Sequence, residues 1–189
     1  MNNLNILIVE GNNRKDSEFF IKAAGATAAD NLKNLILKIE PSINAKIINP
    51  GHDDETTSAL KNMSKYNGIV FTGGAMRIND MTDIIKKHID FGKNGAHIGI
   101  ASDIIINNEG EKHFIYKDKK KLFTSPAFNF DEVSELPKNA ILLSSDKVNN
   151  VMGISFNAGN SEIIGLQYHP DYEYFQMLKL IAGRKDRLF

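Results

Sequence analysis

Apolar positions fall into runs of two kinds along the chain. Leu4 to Val9, Leu-Asn-Ile-Leu-Ile-Val, is nearly continuous, which suits a parallel strand covered on both faces. Ala45 to Ile48 and Ile69 to Phe71 read as further strands, the latter buried. Other stretches carry helical spacing. Ser17 to Ala24 predicts a short helix. Asn31 to Ile39 predicts a second, with Leu32, Leu35, Ile36 and Ile39 on one face until Pro41 stops it. The loop between them runs from Gly25 to Asp30. Leu60 and Met63 share a short helical face. Ile84, Ile85, His88 and Ile89 form the inward face of a helix that Asp80 or Thr82 caps and that ends from Phe91 to Gly95.

The second half is richer in short extended pieces. Ala96 to Ile100 begins a strand containing His97, and Ile104 to Ile106 continues it. Asn107-Asn-Glu-Gly110 is a hairpin-type turn signal. His113 to Tyr116 is a short extended or turn segment. Pro126 to Val133 follows, and Leu136-Pro137 turns the chain into Ala140 to Ser144. Met152 to Phe156 and Ile163 to Tyr168 form an antiparallel pair across Asn157-Ala-Gly-Asn160. Tyr174, Phe175, Met177, Leu178, Leu180 and Ile181 then predict an amphipathic helix. This order, βα-rich first and hairpin-rich later, is that of one mixed α/β domain over residues 1–189.

Composition narrows the function classes. The 189 residues are 42% hydrophobic and 24% charged, as in soluble globular proteins. Lys plus Arg and Asp plus Glu both number 23, so net charge makes no case for nucleic acid or an anionic membrane. Lys117 to Lys121 reads as a solvated loop. No apolar run reaches transmembrane length and no signal peptide is visible, so the expected location is cytoplasmic. Cysteine is absent, which excludes disulfides, thiolate nucleophiles and thiolate metal sites.

Three places invite chemistry. His169 falls at the end of the Ile163–Tyr168 run, and Pro170 then starts a new element. The carboxyl end of a strand is where open α/β sheets bind ligands. Thr72-Gly73-Gly74 leaves the Ile69–Phe71 strand in a tight turn, where glycines let backbone amides approach a ligand or oxyanion. His52, Asp53 and Asp54 offer ligand types, but adjacent residues rarely converge on one ion, and a surface loop is the reading adopted. His88 reads as helix packing. No metal or cofactor is assigned.

Together, Tyr66-Asn-Gly-Ile-Val-Phe-Thr-Gly-Gly74, Phe130-Asp-Glu-Val-Ser-Glu-Leu-Pro137 and Gly165-Leu-Gln-Tyr-His-Pro-Asp171 resemble the class I glutamine amidotransferase domain. The likeness is to the stand-alone type, similar to the amidotransferase part of guanosine monophosphate synthase. It covers nearly the whole chain. It implies a three-layer α/β fold around a mostly parallel sheet, with β-hairpin additions, and release of ammonia from glutamine. It also implies a cysteine nucleophile on a strand-to-helix elbow, a histidine base and an orienting glutamate. His169 matches the base. Asp171 matches the acid, one methylene shorter. Gly73 and Gly74 match the oxyanion turn, expected with His169 at the rim of one parallel sheet.

The departures are large. His97-Ile-Gly-Ile-Ala-Ser-Asp103 is the tempting match for the elbow, with Ala101 at the nucleophile position and Ser102 beside it. The alternative is that the central strand, elbow and helix are missing, and that the chain is shortened near 92–96. Such a unit takes roughly 20–30 residues. Ser102 has the wrong offset for a nucleophile. The expectation is therefore an amidotransferase-like protein without glutaminase activity. Its alternatives are an active enzyme supplying ammonia to a synthetase, and a non-catalytic binding or interaction protein. Glutamine or a related small molecule, a synthetase partner and a second copy of the chain are the partners implied.

Overall fold

The computed structural model describes residues 4–50, 59, 61–74 and 96–184, with backbone alone at 89–91. The expectations for His52 to Asp54, Leu60, Asp80 to His88 and the shortening at 92–95 lie outside these residues. Two compact units divide the chain, one comprising 1–77 with 182–189 and the other 78–181.

In the first unit β1 (Asn5–Val9) lies between β2 (Asn44–Ile48) and β3 (Gly68–Phe71), and all three run parallel. Leu7 and Ile8 are both buried, although neighbours on a strand point to opposite faces. Leu7 joins Ile48 and Ala59 on one side; Ile8 joins Ala29 and Ala45 on the other. The unbroken apolar run of β1 thus reflects two covered faces. Helix α1 (Arg14–Ala24) starts where Asn13 accepts a hydrogen bond from the Asp16 amide, and ends at Gly25, whose φ of 89° favours glycine. Helix α2 (Ala28–Ile39) begins three residues before the expected Asn31. Thr27 and Asp30 form a capping box that satisfies free amides of the first turn. Leu32 and Ile36 pack toward Ile8, while Ile39 is exposed. Phe71, expected in a buried strand, is 73% exposed; it ends β3, which among the described residues is an edge strand paired with β1.

The second unit corrects the expected mostly parallel sheet. Its five strands run β10-β9-β8-β5-β6, with every neighbour antiparallel. They are β5 (His97–Ile106), β6 (Leu122–Asn129), β8 (Ile141–Ser145), β9 (Gly153–Ala158) and β10 (Ser161–Leu166). Connection length supplies the reason. The β9–β10 pair is antiparallel as expected, and the β8–β9 link spans only residues 146–152, whereas a parallel crossover needs a dozen residues or more. A second pair joins β4 (Ile89–Phe91) to β7 (Asp131–Val133). The helix expected to reach Phe91 is therefore a strand over its last three residues. Asn107 does not turn a hairpin. It accepts from the Glu109 and Gly110 amides and caps α3 (Asn108–Lys112). A 3-10 turn, Phe114–Tyr116, follows.

Ala101, Ile104, Ile106, Tyr116, Ala127, Leu143, Met152 and Tyr168 form the core of this unit. A β-bulge in β5 shapes it. Ser102 and Asp103 stand opposite Thr124 alone, between the pairs Ala101–Ser125 and Ile104–Phe123. Before the bulge His97, Gly99 and Ala101 are buried; after it the inward positions are Ile104 and Ile106. Asp103 takes a left-handed φ of 58° to make the bend. Helix α4 (Tyr174–Gly183) follows Pro170 and buries Met177 and Leu180. Lys117 to Lys121 is exposed, as expected, with Lys119 resting over the Phe123 ring.

Candidate functional site

The loops leaving β1 and β3 meet at the carboxyl end of the small parallel sheet. Glu10, 3% exposed, ties them together. Its Oε1 accepts from the Asn12 amide at 3.1 Å, from Asn12 Nδ2 at 2.7 Å and from Thr72 Oγ1 at 3.3 Å. Its Oε2 accepts from the Ala29 amide at 2.9 Å, in the first turn of α2, where a negative charge meets the positive helix end. The Gly11 amide donates to Thr72 Oγ1 at 2.9 Å. In the sequence Glu10 is one residue of the polar stretch Glu10-Gly-Asn-Asn13 that follows β1. Two of its four donors are backbone amides, which no side-chain motif advertises.

Gly73 and Gly74 sit on this junction and are exposed. A Cβ on Gly74 would stand 2.5 Å from the Gly11 carbonyl oxygen, and one on Gly11 would stand 2.6 Å from that of Thr72. Both obstacles are backbone, so neither gives way cheaply. Gly74→Ala is expected to destabilise the protein by about 1–3 kcal/mol, the usual range for overpacking. An unchanged denaturant midpoint would show that the two loops separate freely.

His169 follows β10 in the other unit, so it and Gly73 leave different sheets. The expectation that both rim one parallel sheet is corrected accordingly. The His169 amide donates to the Pro126 carbonyl at 2.8 Å, which anchors the backbone to β6. Its Nδ1 lies 3.4 Å from Asp171 Oδ1, a loose ion-pair distance beyond ordinary hydrogen bonding. The Tyr172 ring meets the imidazole edge-on at 5.4 Å. Asp171 thus stands on the Nδ1 side of the imidazole.

No cysteine is available to complete that pair. Ala101, at the position matched to the nucleophile, is fully buried. Ser102 lies exposed in the bulge, and the strand runs on to Ile106 without an elbow helix at that point. A second histidine–carboxylate pair, missed in the sequence, lies in the interior. His97 Nε2 is 2.8 Å from Asp146 Oδ2, with side chains 4% and 1% exposed. Burial pushes the imidazole below its usual pKa, and the Asp146 charge opposes that shift. Asp146 Oδ1 accepts from the Val148 and Asn149 amides.

Among the described residues no group of three or more His, Asp or Glu is placed to hold a metal ion. An open cleft of about 560 Å³ in the first unit lies away from the Glu10 junction. It is lined by Asn5, Asn44, Lys33, Lys46, Lys65 and Tyr66, toward the amino ends of the strands. No described helix is long and apolar enough to cross a membrane.

No protein-family model matches the chain, and no curated protein matches it. Solved structures do. A glutamine amidotransferase from Thermotoga maritima is similar over 100% of this chain and 85% of its own, with TM-score 0.67 and 15% identity. A putative GMP synthase component from Thermoplasma acidophilum is similar over 100% and 98%, with TM-score 0.61 and 16% identity. At such identities the likeness is one of fold: this chain has a class I glutamine-amidotransferase-like fold and carries no cysteine to serve as its nucleophile.

Proposed function

We propose that the protein is a non-hydrolysing relative of the glutamine amidotransferases, a scaffold that binds without turnover. The observation that carries this reading is the absence of cysteine from a chain with that fold. Covalent amide hydrolysis needs an activated nucleophile, and a base and an oxyanion turn cannot replace it. In this reading His169 and Asp171 are the remnant of a triad. Gly73 and Gly74 are the remnant of the oxyanion turn. The chain is one domain over 1–189, shortened near 92–96. Glutamine or a related small molecule is the ligand class. A synthetase or a second copy of the chain is the partner class, with the cytoplasm as location.

An ammonia-release assay with glutamine tests it, run on wild type, Ser102→Ala and His169→Ala, each with and without candidate synthetases. No turnover above an empty preparation is expected in any sample. Robust wild-type turnover abolished by both substitutions would overturn the reading and make Ser102 the nucleophile.

A further inference from the structure

Strand β2 forms one edge of the small parallel sheet. Two hydrogen bonds fix which of its backbone groups face outward. The Asn44 amide donates to the Leu4 carbonyl at 2.8 Å, and the Ile48 carbonyl accepts from the Glu10 amide at 2.9 Å. Residues 44, 46 and 48 thus turn their backbone groups toward β1. Alternation turns those of Ala45 and Ile47 away from it. Among the described residues no strand lies on that side. Ala45 and Ile47 each present an amide and a carbonyl there, a template on which a further strand pairs.

The open cleft of about 560 Å³ lies along this edge, since Ala45 and Ile47 both line it. It reaches round the strand to both faces of the sheet. The side chains of Ala45 and Ile47 pack toward Ile8 and α2, the helix that brings in Lys33. Lys46 lies on the opposite face, in phase with Ile48, which packs with Leu7 and Tyr66. Lys65 precedes Tyr66 and lines the cleft with it. Three ammonium groups therefore flank the edge, and among the described residues no carboxylate lines the cleft.

We propose that the β2 edge takes an extended acidic peptide as an added strand. The peptide backbone pairs with Ala45 and Ile47, and its carboxylates meet the lysines. Successive side chains of a strand point to opposite faces, and lysines stand on both. The segment that fits is therefore a continuous run of Asp or Glu rather than an alternating one. The same charges disfavour a second copy of this chain, whose edge would set lysine against lysine. The edge carries this role whether or not the Gly73–Gly74 turn holds glutamine.

The probe is a fluorescent hexaglutamate with blocked termini, which its own charge keeps extended at neutral pH. Titrated with the whole protein and followed by anisotropy, it is expected to bind saturably and to weaken as salt rises. In 15N NMR the Ala45 and Ile47 amides should move and exchange more slowly with solvent. The Asn44 and Lys46 amides, already paired with β1, should keep their exchange rates. Lys33→Glu and Lys65→Glu should each weaken binding at least about fivefold, the upper end for an exposed ion pair. A hexaglutamate methylated at every backbone nitrogen keeps the charges and loses the donors. It should bind at least about tenfold more weakly, the ratio that two lost hydrogen bonds exceed. Equal binding of the two peptides would reduce the cleft to a charged patch and overturn the proposal. So would no saturable binding of hexaglutamate, or self-association of the protein that protects the same two amides without peptide. The wild-type titrations with the two peptides decide the matter even if a variant does not fold.

Discussion

Replacing Glu10 by alanine is expected to lower stability by about 3 kcal/mol, toward the upper end of what single substitutions do. The carboxylate is buried and serves donors on separate segments: Asn12 after β1, Ala29 in α2 and Thr72 after β3. Alanine removes every acceptor at once and leaves amides in the interior without a bond. Glu10→Gln keeps one carbonyl oxygen and the side-chain volume but turns the other oxygen into a donor facing donors. It should fall between wild type and alanine. Denaturant unfolding of the three proteins checks the order. An alanine variant within about 0.5 kcal/mol of wild type, the range of ordinary surface substitutions, would show that Glu10 ties nothing together.

The second large effect is acid sensitivity centred on His97. Burial lowers its pKa in the fold, while the unfolded chain returns it to about 6.5. Between the two values the unfolded state binds more protons. The contribution of His97 to stability is therefore fully present above about pH 6.5 and is lost as pH falls through the folded pKa, at a limiting slope of about 1.4 kcal/mol per pH unit. Asp146 opposes the shift, so Asp146→Asn should lower the folded pKa further and carry the loss to more acid pH. His97→Gln should flatten this part of the profile. Stability measured against pH for the three proteins checks both signs. A wild type that gains stability on acidification through this window, by an amount that His97→Gln abolishes, would mean the fold prefers the imidazolium.

What was legible in the sequence follows from which signals are local. The Leu4–Val9 run identified β1 because strands covered on both faces leave no polar alternation. The β9–β10 hairpin was legible because its turn residues lie between its strands. His169 and Asp171 are legible as a pair because only Pro170 stands between them. By contrast, a short apolar run does not state its direction, so the antiparallel course of β5, β6 and β8 is not legible and a mostly parallel sheet is expected in its place. Asn107 can open a turn or cap a helix with the same side chain, and the choice fell to packing of α3 on β8. His97 and Asp146 lie far apart in the chain, and a buried histidine on an alternating strand looks like any packed residue.

The bulge in β5 makes that strand tolerant of a length change at one place. Regular alternation from Ala101 would put residue 103 inward, yet Ile104 is the inward residue. Deletion of Asp103 would therefore join Ser102 to Ile104 with the two faces in phase, pairing Ser102 with Thr124 and keeping Ile104 beside Phe123. A one-residue deletion at any regular position of the strand would instead turn every residue on one side of the cut to the opposite face. Residue 103 is thus surplus to the hydrophobic code of β5. What it supplies is the bend of the strand, so the deletion costs shape and leaves the hydrophobic pattern whole.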